Sequence, residues 1–71
     1  MKIIHKPYAK FKGWLRENEL TYKDIAELIG VTVVTVSAKV NGSSDFLLSE
    51  IQIIKRHYNL SDEIFFTDNV A

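Results

Sequence analysis

Five of the nine cationic side chains, Lys2, Lys6, Lys10, Lys12 and Arg16, stand before the first acidic residue, Glu17. From Glu17 onward nine acids face only Lys23, Lys39, Lys55 and Arg56, so a formal net charge of zero hides a basic N-terminal stretch. Clustered ammonium groups hold anions by charge and hydrogen bonding. Two readings stay open: an ordinary solvated helix face, or a weak electrostatic footprint for nucleic acid. Covalent chemistry has less to work with. His5 and His57 have no paired ligand at helical spacing, and the absence of cysteine excludes a disulfide scaffold and a Cys-based zinc site while fitting a reducing cytosol. Serine, histidine and aspartate all occur, but no nucleophile elbow, phosphate loop or metal spacing joins them. No catalytic residue, metal, cofactor or small-molecule substrate is therefore expected, and the chain reads as a non-enzyme.

The elements that carry these residues must come from one small domain. A chain of 71 residues buries only about 60% of the surface its unfolded form exposes, so the core has to be efficient. No apolar run approaches the roughly 20 residues of a membrane span, and the N-terminus lacks the apolar segment and cleavage site of a signal peptide. A cytoplasmic protein with no membrane partner is the expectation.

The segment GVTVVTVSAKVNG, Gly30 to Gly42, tests the secondary-structure reading. Its valines and threonines are stiff at χ1 and favour pleated strands. Its flanks say otherwise. Three places share the order apolar, hydroxyl, three residues, apolar: Leu20-Thr21 with Ile25, Val31-Thr32 with Val36, and Leu60-Ser61 with Phe65. If the hydroxyl caps a helix N-terminus, the apolar pair becomes a hydrophobic staple, so each place marks a helix start. Asp24 completes a capping box with Thr21, and Asp62 and Glu63 put negative charge at the start of the last helix. Gly30 and Asn41-Gly42 supply left-handed stops. The valine-rich segment is therefore a helix. Val33 and Val34 are adjacent, so they cannot both face one core, and at least one is displayed to water or a partner.

The chain reads as all-α, a bundle of five short helices over 6–18, 21–29, 32–41, 47–58 and 61–66, with a tail over 67–71. The first helix starts at Pro7, a favoured first helical position, and turns Phe11 and Leu15 inward with Trp14 at the boundary. The fourth has two candidate starts, a capping box from Leu48-Ser49 with Gln52 and Ile53, or a staple from Phe46 to Ile51. Either way Ile51, Ile54 and Tyr58 form its apolar stripe. No linker, repeat or low-complexity tract interrupts the chain.

The second and third helices joined at Gly30-Val31 form a helix-turn-helix pattern over Tyr22 to Val40, with Ile25, Ile29 and Val36 as its wedge and Ala26 small at the crossing. With the NG after the third helix and the NLSDEIFF ending, TYKDIAELIGVTVVTVSAKVNGSSDFLLSEIQIIKRHYNLSDEIFF resembles the DNA-binding domain of phage repressors and Cro proteins, the xenobiotic response element family. The resemblance implies a lambda-repressor-like fold and a bacterial or phage-encoded, sequence-specific transcription regulator bound to double-stranded operator DNA. It places the third helix in the major groove. Carried over by position, Thr32, Val33, Val34, Ser37 and Ala38 face bases, while Tyr22, Lys23, Thr35, Lys39, Asn41, Ser43 and Ser44 face the DNA backbone. Valines at the base edge favour thymine methyl groups, so A·T-containing sites are expected. Relatives often carry Gln, Lys or Arg at these base-reading positions, and Ala38 stands where Arg is common.

The family reads palindromic operators as two-fold dimers, because one recognition helix covers too few base pairs. Ile64, Phe65 and Phe66 are successive large apolar residues on one short helix. Phe65 is the staple partner and turns inward, which leaves Phe66, with Ile64 or Val70, for a weak homodimer contact. The competing expectation is a protein-interaction module on the same fold, an antirepressor or antitoxin-type partner, which the neutral charge and exposed valines also suit.

Overall fold

The computed structural model describes residues 3–66, all but the side chain of Phe66. Within them the chain is all-helical: α1 Ala9–Glu17, α2 Tyr22–Ile29, α3 Val33–Asn41, α4 Leu48–Tyr58 and α5 Glu63–Phe66, with no strand. No helix among the described residues is long and apolar enough to cross a membrane.

Local signals account for most boundaries. Thr32 Oγ1 accepts the Thr35 N–H at 3.1 Å and starts α3. At α2 Thr21 and Asp24 form the expected capping box, and the Asp24 carboxylate accepts both the Thr21 N–H (2.8 Å) and the Thr21 hydroxyl (3.1 Å). Gly30 (φ 76°) and Gly42 (φ 105°) end α2 and α3 in the left-handed region. At α4 the staple prevails: Leu47 is the cap position, its N–H bonds Glu50 Oε1 at 2.9 Å, and Phe46 and Ile51 are both buried.

Two expected starts move. Helix α1 begins at Ala9 and not near Pro7, because the preceding backbone is drawn to the end of α3: Ile4 N–H bonds the Gly42 carbonyl (2.7 Å) and Tyr8 N–H the Val40 carbonyl (3.0 Å). Tertiary hydrogen bonds outweigh proline's local preference there. Helix α5 begins at Glu63, two residues after Ser61.

Phe11, Leu15, Ile25, Ala26, Val36, Val40, Phe46, Ile51, Ile54 and Phe65 form the core. Phe11 and Phe65 lie 4.9 Å apart between ring centroids, Phe46 meets both edge-on, and Trp14 stacks on Phe11 and meets Tyr58 edge-on. Such ring contacts add about 0.5–1.5 kcal/mol per pair beyond area burial. Helix α2 packs against α3 and α4, and α3 is also tied to α4 through Lys39 and Glu50. Val36 and Val40 turn fully inward, and Val33 and Val34 face out.

Candidate nucleic-acid interface

The outward side of α3 is built from its period. At about 100° per residue, positions 33, 34, 37, 38 and 41 share one half of the helix and positions 36 and 40 the buried edge. Val33, Val34, Ser37, Ala38 and Asn41 line an open, mainly apolar groove whose lining is completed by Tyr22 from the first turn of α2 and by Ser43. Val34 is 78% exposed and Val33 44%, large values for valine in so small a domain. The structure thus gathers Val33, Val34, Ser37, Ala38, Tyr22, Asn41 and Ser43 from the expected contact set into one surface.

Several polar members are already engaged. Asn41 Nδ2 donates to the Ser37 carbonyl (2.9 Å) and weakly to Ser37 Oγ, while its Oδ1 accepts Lys12 Nζ at 3.0 Å. The Ser43 hydroxyl donates to the Ala38 carbonyl at 3.3 Å, and the Ser44 carbonyl meets the His5 ring. Thr32 is the cap of α3 and does not line the groove. Thr35 does not line the groove either; its hydroxyl lies 2.9 Å from Thr32 Oγ1.

Lys39 is the principal correction. Its helical position lies on the half opposite the groove, and its Nζ bonds Glu50 Oε1 at 2.5 Å with both residues buried. Burial pushes the Glu50 carboxyl up, but the hydrogen bonds from Lys39 and Leu47 N–H, with the Lys39 charge, outweigh it and hold the group below its ordinary value. An ammonium held this way cannot reach a phosphate without leaving a buried carboxylate unpaired.

Cations from elsewhere border the groove instead. Lys12 on α1 reaches Asn41, and a second hollow lined by Lys12, Leu15, Arg16, Leu20, Thr21 and Tyr22 shares Tyr22 with the first. Lys23, exposed in the first turn of α2, stands next to Tyr22. The spacing of Lys12 and Arg16, four apart on one helix, carried this signal in the sequence, but only the packing of α1 aims it at Tyr22. Ile64 is half-buried against the core. Val70 and the Phe66 side chain, the rest of the expected dimer contact, lie outside the described residues. Among the described residues no three His, Asp or Glu side chains are placed to hold a metal ion.

No family model, curated protein or solved structure matches the chain. The functional reading stands on the geometry and on the motif in the sequence.

Proposed function

We propose that this protein is a sequence-specific DNA-binding transcription regulator of the repressor and Cro type, with α2 and α3 acting as a helix-turn-helix and α3 entering the major groove. The observation that carries the reading is the pair Val33 and Val34, displayed at the first turn of α3 beside the first turn of α2. A cap and a staple that hold an α3 start so firmly, only to expose its valines, make sense if those methyl groups meet a partner. Thymine methyls in the major groove are such a partner, with Ser37 offering the accompanying hydroxyl. Lys12, Arg16 and Lys23 supply the phosphate grip. Two protomers on a palindromic site would double the contact, with Ile64, Phe66 and Val70 as the expected dimer surface.

A duplex-selection experiment followed by anisotropy titrations at several salt concentrations tests this. Enrichment of A·T-containing sites is expected. The logarithm of affinity should fall with log salt at about −0.9 per phosphate engaged, which for three cations means a slope of about −3 per protomer. One observation favours a second reading, a protein-interaction module: the groove is more apolar than charged. That reading predicts no duplex enrichment and a nearly flat salt dependence for the partner.

A further inference from the structure

Both ring nitrogens of His5 face carbonyl oxygens. Nδ1 lies 2.7 Å from the Lys6 carbonyl, and Nε2 lies 2.7 Å from the Ser44 carbonyl, 39 residues away in the sequence. Carbonyl oxygens only accept, and a neutral imidazole carries one N–H. Only the imidazolium can donate to both. The ring also closes the seam between the N-terminal segment and the loop after α3. There Ile4 N–H bonds the Gly42 carbonyl, and a Cβ at Gly42 would lie 2.2 Å from the His5 carbonyl oxygen, so the two backbones touch.

We propose that His5 is a protonation-operated latch: as an imidazolium it donates to the Ser44 carbonyl of the α3–α4 loop and to the Lys6 carbonyl at once and faces the Asp45 carboxylate of that loop, and on losing its proton it keeps only one of the two donations and loses the attraction to Asp45, which loosens the tie between the N-terminal segment and the loop. The loop carries Ser43, which lines the α3 groove, so the latch adjoins the surface a partner would use. An effect on DNA affinity rests on the function proposed above; the latch itself does not.

The charged and titratable surroundings favour the cation. From the loop, the Asp45 carboxylate stands 3.5 Å from Nε2. From the same N-terminal segment, the Tyr8 ring packs 4.7 Å from the imidazole and its hydroxyl donates to Asp45 Oδ1 at 2.6 Å; burial, then that hydrogen bond and the Asp45 charge, push the phenol well above its ordinary value and keep it neutral. From α3, the Lys39 carbonyl also faces the ring, while the Lys39 ammonium is bonded to Glu50. Burial pulls the imidazolium down, but the carbonyls of Lys6 and Ser44, the Asp45 charge and the Lys39 carbonyl outweigh it, so the group titrates above 6.5. A raised value means the latch contributes fully below the unfolded value near 6.5 and is lost as pH rises through the folded one.

Nitrogen-15 NMR of the full chain across pH 5 to 9 tests the latch. The His5 ring should carry protons on both nitrogens below its midpoint, with that midpoint shifted above 6.5. The Ile4 and Ser44 amide signals should move at the same midpoint, with loss of Ile4 amide protection above it. In His5→Gln the pH dependence of those amides should vanish. A His5 nitrogen that stays unprotonated at pH 5, or Ile4 and Ser44 amides that ignore the titration, would overturn the proposal. DNA affinity measured on the same samples separates the two claims. An amide transition without any DNA binding would overturn the regulator reading alone, and a DNA affinity constant across a clear amide transition would overturn the coupling to the groove.

Discussion

Replacing Lys39 with methionine separates a structural lysine from a DNA-contacting one. Methionine keeps the apolar stem and removes the ammonium, leaving the carboxylate of buried Glu50 with the Leu47 N–H as its remaining donor. Removing one partner of a buried pair costs about 3–5 kcal/mol, and the surviving hydrogen bond argues for the lower end, about 3 kcal/mol. A domain of this length holds roughly 4–10 kcal/mol in all, so the loss is a large fraction. Adding Glu50→Gln removes the stranded charge while its amide oxygen still accepts the Leu47 N–H, so the double variant should recover most of the loss. Urea unfolding followed by circular dichroism at neutral pH, in low and high salt, measures both. The loss should barely change with salt, because a buried pair is poorly screened. A Lys39→Met protein within about 0.5 kcal/mol of wild type, or a double-mutant cycle showing no coupling, would refute the reasoning and return Lys39 to solvent, where a phosphate could claim it.

Acid should weaken the same pair: Glu50 sits below its ordinary value, so its contribution is present above about 4.5 and disappears as pH falls through the folded value, which acid melts of wild type against Glu50→Gln will show. Gly42→Ala should be far worse than Gly30→Ala, since a Cβ at 42 meets the His5 carbonyl at 2.2 Å whereas nothing lies within 4 Å at 30. For Gly30→Ala the left-handed φ alone costs about 1–2 kcal/mol, and thermal melts of the two rank them. On DNA, Lys12→Ala should weaken all sequences alike and reduce the salt slope by about one, while Val34→Ala should lose affinity on the selected site and little on random duplex. Ile25→Ala should cost about 2–5 kcal/mol, against about 1 for Thr21→Ala, and the reverse order in melts would contradict the core assignment.

Five helices, their order and most of their ends were legible because the signals are local. A cap hydroxyl, a staple and a left-handed glycine each act within one turn, and Thr32, Gly30 and Gly42 do what their types imply. Helical period also separates Val34 from Val36 and Val40, but Val33 lies only about 20° from Val40 and its 44% exposure is decided by its place in the first turn of the packed helix. The same counting puts Lys39 on the far side from the groove. The expectation of a phosphate contact there came from the family resemblance, and the helical period argues against it.

What the sequence determined by itself was therefore the helical class, the segmentation and that at least one of Val33 and Val34 must face outward, all consequences of backbone chemistry repeating over three or four residues. Tertiary structure decided the rest. Lys39 and Glu50 are 11 residues apart, Lys12 and Asn41 are 29, and His5 and Ser44 are 39. No local rule specifies which of nine cations finds which acceptor, because many pairings satisfy charge equally well and only the packing of α1, α3 and α4 selects among them. The displaced start of α1 has the same origin: proline's preference is worth little beside the backbone hydrogen bonds from Ile4, His5 and Tyr8 to the end of α3, and those exist only once the chain has folded.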